Sequence, residues 1–423
     1  MHVQSAIDQH LSTKTAACRF CSTPLVHTFV DLGMSPLCQN RIRLDQLQEM
    51  EPFYPLHVYV CEACFLVQLE EIVKPEEIYR DYAYFSSYSE SWLQHCKAYT
   101  DMMVQRFLLT PDSQVIELAS NDGYLLQYFR EKQIAVLGVE PALNAAKLAE
   151  EKGIPSMLKF FGVQTAREII EVHGQADLIL GNNVLAHVPE INDFVQGMKL
   201  LLKAEGVITM EFPHLLQLMK HNQFDTIYHE HYSYLSLTTV ERIFAHHQLT
   251  LFDVEELPTH GGSIRIFARH AADKRKVVEE RLIRLKAQEL QAGLTALHSY
   301  ASFSEQVKTS KRKILSFLIE TKEAGKTIVG YGAAGKGNTL LNYCGIRTDF
   351  IEYTVDRNPY KQGHYLPGTH IPVYHPDKIK ETQADYIFIL PWNLKEEIMG
   401  QLAYIREWGG RFVIPIPELK VYD

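Results

Sequence analysis

The stretch "QVIELASNDGYLLQYFREKQIAVLGVE", residues 114–140, predicts a strand, a tight turn, a helix and a second strand. Val115–Leu118 is a short apolar run typical of a buried strand, and "ASNDG" is a turn. Tyr124–Glu131 has the pattern of an amphipathic helix, and Val136–Val139 forms a second strand that ends at Glu140. A β-α-β unit of this kind places a ligand at the helix start and a carboxylate against a ribose diol.

The turn holds a single glycine, so it lacks the repeated glycines that let a pyrophosphate approach the backbone. A ligand with a ribose but no phosphate fits better, and S-adenosylmethionine (SAM) is the natural candidate. The continuation predicts a strand at Leu178–Leu180, a helix at Asn192–Leu202 and a strand at Gly206–Glu211, which together indicate a doubly wound α/β sheet. The alternative is another nucleotide-binding α/β domain. The predicted cofactor contacts are Glu117, Ala119, Ser120, Asn121, Asp122, Gly123, Glu140, Pro141, Asn182 and Asn183.

Composition limits the possible functions. The chain has 423 residues, of which 46% are hydrophobic, enough for several domains because a single core rarely exceeds roughly 250 to 300 residues. A formal charge of -9 gives no basic footprint for nucleic acid. No apolar run approaches the roughly 18 residues that span a bilayer, and the first residues do not resemble a signal peptide. We therefore expect a cytoplasmic protein with reduced cysteines that binds neither nucleic acid nor membrane.

Four of the seven cysteines form two C-x-x-C pairs, "CRFC" (Cys18, Cys21) and "CEAC" (Cys61, Cys64). Two such knuckles predict a closed tetrahedral site for structural Zn²⁺. The alternative is a thioredoxin-like redox pair, but one C-x-x-C would suffice for that and no βαβ pattern surrounds either pair.

The C-terminal part carries a second glycine-rich turn. After two predicted helices, at Asp273–Leu297 and Phe303–Ala324, "GYGAAG" satisfies G-x-G-x-x-G between a strand and a helix. Alone this pattern indicates an NAD site. A lysine directly after the last glycine, where a cation would meet phosphates, favours another ligand. The residues considered are Gly330, Gly332, Gly335, Lys336, Asp356 at a second strand tip, and Trp392 and Asn393 at a third.

The stretch "TIYHEHYSYLS", residues 226–236, concentrates two histidines, three tyrosines and a glutamate. As a flat strand it would give neither face a good core pattern. The alternative to a functional role is a polar surface hairpin.

Together these segments resemble the nucleotide-sugar C-methyltransferases that act on keto-deoxysugars. The resemblance runs in order from Cys18 to the last strand. It implies a zinc-binding domain at 1–75, a SAM-dependent methyltransferase domain at 76–272, and a Rossmann-like domain at 273–423 that holds the nucleotide diphosphate of the sugar. The motifs are the double C-x-x-C, "ELASNDGYLL", "GVEPA", "NNVLAHVPEINDF", "YHEHYSYLS", "LPTHGGSIRIFARH" and "IVGYGAAGKGNTLLNYCGI".

The activity that the resemblance implies is methyl transfer from SAM to a ring carbon next to the ketone of a 4-keto-6-deoxy sugar carried on dTDP or GDP. A base must first remove the ring proton, and a donor must hold the enolate. By resemblance, His231 is the base and Tyr228 hydrogen-bonds the oxyanion. Glu230 orients and polarises the group that needs it. We expect a loop there, since a flat strand would separate His231 from Tyr228 and Glu230. His187 is a further family position, although a histidine before Val-Pro is more often structural.

The run "YRDYAYFSSYSESW", residues 79–92, is either an aromatic packing linker or part of the substrate site. The family points to Tyr82 as an active-site residue and to Tyr84 as the near alternative, which we assign to substrate binding. Two other classes stay open, an NAD-dependent oxidoreductase and a non-catalytic zinc- and nucleotide-binding module. The sequence leaves open the methylated carbon (C3 or C5) and the nucleotide base, and we expect a monomer or weak homodimer.

Overall fold

The structure, a computed structural model, describes residues 16–79 and 85–423. Within these residues seventeen strands form three sheets of four, seven and six strands. The strands are β1 (His27–Ser35), β2 (Tyr54–Val60), β3 (Val67–Leu69), β4 (Gln114–Leu118), β5 (Ala135–Val139), β6 (Ser156–Met157), β7 (Ala176–Asn182), β8 (Leu202–Pro213), β9 (Ser233–Tyr234), β10 (Leu249–Leu257), β11 (Ser263–His270), β12 (Ile328–Tyr331), β13 (Thr354–Val355), β14 (Val373–Tyr374), β15 (Tyr386–Ile389), β16 (Arg411–Ile414) and β17 (Lys420–Tyr422).

Helices cover the sheets and link them. The α-helices are α1 (Pro75–Ile78), α2 (Glu90–Phe107), α3 (Leu126–Glu131), α4 (Leu143–Glu151), α5 (Val163–His173), α6 (Ile191–Leu201), α7 (Leu215–Lys220), α8 (Leu237–His246), α9 (Glu280–Gln291), α10 (His298–Ala301), α11 (Phe303–Glu323), α12 (Gly335–Cys344), α13 (Lys378–Thr382) and α14 (Lys395–Gln401). Short 3₁₀ helices lie at Leu44–Gln46, Ser86–Tyr88, Leu185–His187, Phe224–Thr226, Thr259–Gly261, Trp392–Leu394 and Ala403–Trp408.

The central sheet has the order β10-β11-β8-β7-β4-β5-β6. Strands β6, β5, β4, β7 and β8 run parallel to one another, whereas β11 is antiparallel to both β8 and β10. The sequence of α6 explains why this segment is helical. Its buried residues recur at helical spacing and face the sheet, and they include Ile191, Phe194, Val195 and Met198. The predicted doubly wound sheet is confirmed.

The C-terminal sheet has the order β14-β13-β12-β15-β16-β17 and is parallel except for β17. It confirms the second Rossmann-like unit. The helix predicted at Asp273–Leu297 is shorter than expected, since α9 begins at Glu280. The carboxylate of Asp273 accepts the backbone N–H of Arg275 at 3.1 Å and pairs with Lys276, which favours a turn over a helix start there.

The first sheet, β1-β2-β3-β9, joins distant parts of the chain. Strand β9 lies in the "TIYHEHYSYLS" stretch but pairs with β3, next to the second cysteine knuckle. Beneath this sheet Phe29 stacks on Phe303 of α11 at 4.5 Å, within a core that continues into the C-terminal sheet. Among residues 16–79 and 85–423, no helix is long and apolar enough to cross a membrane.

Candidate active site

A cavity of about 670 Å³ lies between the central and C-terminal sheets. Its wall includes residues that follow β4, β5 and β7 on one side and β12 and β15 on the other. Parallel strands present their carboxyl ends at one edge of a sheet, so both sheets contribute the edge at which ligands usually bind. The predicted site residues that line this cavity are Ala119, Asn121, Glu140, Pro141, Asn182, Asn183, His187, Tyr228, Glu230, His231, Gly335, Lys336 and Asn393.

The "ASNDG" turn holds an unusual backbone conformation. Ala119, Asn121 and Gly123 have φ angles of 57°, 49° and 74°. Two of these residues are not glycine, and left-handed conformations of such residues are costly and concentrate at functional sites. The Glu140 carboxylate supports the turn, because it accepts N–H bonds from Asn121 at 2.9 Å and from Ala142 at 2.8 Å.

Glu140 fits the ribose-binding role by position and by chemistry. Each of its oxygens accepts one amide hydrogen and retains a second acceptor position, and the residue lines the cavity. Burial raises the pKa of Glu140 to about 7, although the two amide bonds oppose that rise. The residues present therefore fit the ribose of SAM, whose two hydroxyl groups can donate to a carboxylate.

Four of the predicted cofactor contacts lie behind the wall of the cavity. Burial raises the pKa of the Glu117 carboxyl well above its ordinary value, which favours its neutral form. Asp122 pairs with Lys152 at 2.9 Å and accepts the hydroxyl of Ser87. A Cβ on Gly123 would lie 2.9 Å from the Ile154 side chain, so this position requires glycine for close packing. The fourth residue is the buried Ser120.

Residues Tyr228 to His231 form a β-turn in place of a flat strand, as expected. The N–H of His231 donates to the Tyr228 carbonyl at 2.9 Å. This closure brings both side chains to the same wall, where their ring centroids lie 4.0 Å apart. Glu230 lines the cavity from the same turn.

The protein fixes the tautomer of His231. Its Nδ1 lies 2.8 Å from the carbonyl oxygen of Thr226, and because a carbonyl only accepts, Nδ1 carries the proton. The other ring nitrogen, Nε2, is then an unprotonated acceptor. Burial and the positive potential of neighbouring groups, among them Lys336, lower the pKa of His231 well below its ordinary value. His231 is therefore neutral at pH 7 and able to accept a proton.

His187 lies beside the turn. Its ring is edge-on to the His231 ring at 4.7 Å, and its Nδ1 is 2.7 Å from the Tyr79 hydroxyl. Burial lowers the pKa of His187 to about 4, so this ring is also neutral at pH 7. Tyr79 lines the cavity as well and was not predicted from the sequence.

The carboxyl group of Glu230 has a pKa far above that of an ordinary glutamate. Burial raises the pKa of its carboxyl to about 7, against a weak opposing hydrogen bond from the Cys38 thiol at 3.4 Å. A carboxyl group with this pKa can accept or donate a hydrogen at working pH.

The C-terminal sheet contributes a buried cation. Lys336 Nζ donates to Asn393 Oδ1 at 2.8 Å and lies 4.8 Å from the centroid of the Trp392 ring. In the part of the chain that the structure describes, no carboxylate lies within 4.0 Å of this ammonium group. The Trp392 indole N–H donates to Asp225 at 2.6 Å, which anchors the residues before Tyr228 to this sheet. Helix α12 adds a second anchor, since the Thr339 hydroxyl donates to the Ile227 carbonyl at 2.8 Å.

Asp356 does not line the cavity. Its carboxylate accepts N–H bonds from Ala333 at 2.8 Å and Asn358 at 2.9 Å and pairs with Lys361 at 3.2 Å. These contacts close the glycine-rich turn around the carboxylate. Gly332, at φ 98°, lies behind the wall too, since a Cβ there would be 2.5 Å from Pro391.

His260 is a cavity residue to which sequence reasoning assigned no role. It has a φ of 54°, and its Nε2 lies 3.1 Å from the Asn183 side-chain nitrogen. The only local signal is its position before two glycines in "THGG". The aromatic and glycine wall at Phe160–Gly162 was also missed. The predicted Tyr82 and Tyr84 lie outside the described residues.

The two cysteine knuckles meet at one point. The four sulfur atoms lie within 4.8 Å of one another, and two of the separations between knuckles are 3.5 Å for Cys18 to Cys64 and 3.5 Å for Cys21 to Cys61. A tetrahedral zinc site with Zn–S bonds of about 2.3 Å separates its sulfurs by roughly 3.8 Å. A hydrogen bond from Cys64 lowers the pKa of the Cys18 thiol and raises that of Cys64, so without a metal the pair shares a proton.

Comparison with known proteins decides the family. C-methyltransferase NovU from Streptomyces niveus is 35% identical to this chain over 404 residues, which cover 96% of each protein. The chain belongs to the C-methyltransferase family. The family predicted from the motifs is thereby confirmed, and SAM is the methyl donor.

Family models match three successive parts of this C-methyltransferase. They describe a zinc binding domain at residues 18–79, a methyltransferase domain at 93–254 and a C-methyltransferase C-terminal domain at 258–417. The first match contains all four clustered cysteines, so the closed site is a zinc site and not a redox pair.

Solved structures also resemble parts of this C-methyltransferase. A SAM-dependent methyltransferase from Clostridium acetobutylicum ATCC 824 has 13% identity and a TM-score of 0.35, covering 43% of this chain and 92% of its own. The PH0226 protein from Pyrococcus horikoshii OT3 has 15% identity and a TM-score of 0.36, covering 47% and 96%.

Proposed function

We propose that this C-methyltransferase methylates a ring carbon next to the ketone of a 4-keto-6-deoxy sugar carried on a nucleoside diphosphate. The observation that carries the proposal is that one cavity joins the Glu140 edge, the turn of Tyr228 to His231 and the buried Lys336. A methyl donor, a carbon acid and a diphosphate would each meet a matching group there.

Transfer to carbon requires a base, because a C–H carbon has no lone pair to attack the methyl group. His231 Nε2 takes the proton on the carbon next to the ketone, and the C–H electron pair enters the enolate. The Thr226 carbonyl accepts a hydrogen bond from Nδ1–H of His231, and this bond stabilises the imidazolium that forms. When bound, SAM supplies an electrophilic methyl group to the enolate carbon.

The enolate oxygen needs a hydrogen-bond donor where charge develops. Tyr228 lies beside the base and carries a phenolic O–H. Glu230, with its pKa raised to about 7 by burial, supplies a second proton near the same wall. His187 and His260, whose pKa values burial lowers to about 4, are neutral rings at pH 7 that complete this polar wall.

The anionic substrate makes the base stronger. Burial is the main cause of the low pKa of His231, and the positive potential of Lys336 is a smaller cause that follows those of His187 and His260. A diphosphate at Lys336 neutralises that potential, so proton transfer to His231 becomes more favourable when the substrate is bound. Burial still lowers the pKa in the complex, so the diphosphate offsets only the part that comes from Lys336.

An NAD-dependent reaction is less well supported by the same geometry. In a dinucleotide site the acidic residue at the second strand tip binds the ribose hydroxyls. Here Asp356 holds the turn and Lys361 instead. The glycine-rich turn and Lys336 are therefore assigned to the sugar nucleotide.

Mass spectrometry tests the proposal. Purified protein is incubated with SAM and a panel of 4-keto-6-deoxy sugars on dTDP and on GDP, with the matching 4-hydroxy sugars as controls. One added methyl group on a keto sugar, and none on its 4-hydroxy counterpart, is expected. Methylation of the 4-hydroxy sugars, or of none of the panel by protein that binds SAM, would refute the assigned substrate class.

A further inference from the structure

The first zinc knuckle touches the segment that carries His187. Arg19 lies between the two cysteines of this knuckle, and its guanidinium donates to the Pro189 carbonyl at 3.0 Å and to the Leu69 carbonyl. Pro189 is two residues beyond His187. The backbone N–H of Arg19 donates to the Gln68 side chain at 2.9 Å, so both ends of the arginine are fixed.

A second contact joins the same knuckle to the far end of this segment. Asn192, in the first turn of α6, donates its side-chain N–H to the Phe20 carbonyl at 2.9 Å. Residues 189–192 are therefore bound to the knuckle at both ends. Gln68 completes the connection, because its side chain donates to the Cys18 sulfur at 3.2 Å.

Arg19 also reaches the segment of the other histidine. Its guanidinium lies 5.4 Å from the centroid of the Tyr232 ring, and Tyr232 directly follows His231. The Tyr232 hydroxyl donates to the Val73 carbonyl at 3.1 Å, which holds the ring in place. Arg19 thus contacts a neighbour of each histidine of the pair whose rings lie 4.7 Å apart.

We propose that Arg19 is a positioning residue that couples the zinc knuckle to the alignment of His187 and His231. The inference rests on the proposed roles of these histidines. A guanidinium suits the task because its planar fork donates in fixed directions. Among the described residues no carboxylate lies within 4.0 Å of Arg19, and its two terminal nitrogens donate to the backbone carbonyls of Pro189 and Leu69.

Zinc then acts on the reaction without contacting the substrate. The ion closes the loop that carries Arg19, because Cys18 and Cys21 flank it. A loop closed by a metal has few conformations, so the guanidinium is held in one place. A displacement of about 1 Å in catalytic groups can cost about a hundredfold in rate, so small losses of order would be measurable.

The test compares Arg19→Met with Arg242→Met in the zinc-loaded full chain. Arg242 is a matched control, since its guanidinium donates to the Ala63 carbonyl of the second knuckle at 3.2 Å and lies over the Phe65 ring. Four quantities are measured: zinc content, melting temperature, steady-state kinetics, and amide hydrogen exchange of the peptide that covers 185–194.

Arg19→Met is expected to retain zinc and to lower kcat about ten- to a hundredfold, with little change in KM for SAM. Its 185–194 peptide should exchange faster, while Arg242→Met leaves both kcat and exchange near wild type. Arg19→Lys should restore part of kcat, because an ammonium group can reach one of the two carbonyls. Unchanged kcat and exchange in Arg19→Met, or equal losses in Arg242→Met, would overturn the proposal.

Two further measurements keep the inference testable. If Arg19→Met does not accumulate as folded protein, Asn192→Ala removes the second contact between the same knuckle and the same segment, and it must also lower kcat and protection. If wild-type protein methylates none of the sugar nucleotides, the proposed function fails. The exchange comparison still reports whether the knuckle orders residues 185–194, and unchanged exchange there overturns the coupling by itself.

Discussion

The two β-α-β units of this C-methyltransferase solve the same backbone problem and differ in what they offer a ligand. In each, a carboxylate after the second strand accepts an N–H from the turn after the first: Glu140 from Asn121 at 2.9 Å, and Asp356 from Ala333 at 2.8 Å. Glu140 also faces the cavity, whereas Asp356 is occupied by its own loop and Lys361. An acidic residue at a strand tip is thus not by itself a sign of ribose binding. Its other contacts determine whether its carboxylate is available to a ligand.

The largest expected effect concerns His231, whose turn lines the cavity between the two units. His231→Gln should lower methyl transfer by about a hundredfold to ten-thousandfold while both ligands still bind, because a positioned general base is lost. His229→Gln is the matched control, since His229 Nε2 contacts the Pro55 carbonyl at 3.2 Å and its side chain lies outside the cavity. Steady-state kinetics measure the methyl-transfer rate of each variant, and calorimetry measures its affinity for both ligands. A wild-type rate for His231→Gln would move the base to another residue, with His187 the first to test.

The next effect separates the ligands of the two units. Lys336→Met should weaken the sugar nucleotide roughly a hundredfold, because a buried cation that would meet the diphosphate is removed. SAM affinity should not change. Lys326→Met, which removes an exposed lysine paired with Asp385 at 2.9 Å, should leave both affinities unaltered. If Lys336→Met weakened SAM instead, the assignment of ligands to the two units would be reversed.

The acidic residues give the most direct comparison. Glu140→Ala should weaken SAM roughly tenfold or more, since a hydrogen bond to a charged group contributes about 1.5 to 3 kcal/mol. Asp356→Ala should leave SAM affinity unchanged and act through the turn near Lys336. Calorimetry with SAM on both variants is the measurement. Equal effects of the two substitutions on SAM would erase the distinction between the units.

The smallest effect is the pH dependence of SAM affinity. Burial raises the pKa of Glu140 from its ordinary 4.5 to about 7, and only the ionised form makes charge-assisted bonds to the ribose hydroxyls. That part of the affinity is present above pH 7 and is lost as pH falls through it. We expect up to about tenfold weaker binding at pH 6 than at pH 8. In Glu140→Gln the titration should be flat over this range, and a slope equal to that of wild type would assign it to another group.

The sequence predicted the local units well because their signals are short-range. Strand β4, the "ASNDG" turn, α3 and β5 follow one another within residues 114–139, and the C-x-x-C spacing identifies the cysteine knuckles. The loop at Tyr228 to His231 followed from a pattern that no flat strand could satisfy.

Residues joined by tertiary contacts were harder to predict. His260 meets Asn183 across 77 positions of sequence, and nothing local indicates which ring nitrogen is involved. The inward or outward direction of Asp356 depends on Lys361 and Asn358, which a strand-tip motif does not specify. The pairing of β9 with β3 likewise depends on packing between distant segments.

The segment around the base has a consequence for protein engineering. Asp225 and Ile227 are bonded to Trp392 and Thr339 of the C-terminal region, while Ser233 and Tyr234 pair with β3 beside the second knuckle. A chimera could exchange only the C-terminal region with that of a relative, in order to change the accepted nucleotide. Such an exchange would alter the contacts that hold the residues just before His231 in place. Recombination sites should therefore keep residues 224–236 together with both of their partners, or the hybrid will gain a new binding surface and lose its chemistry.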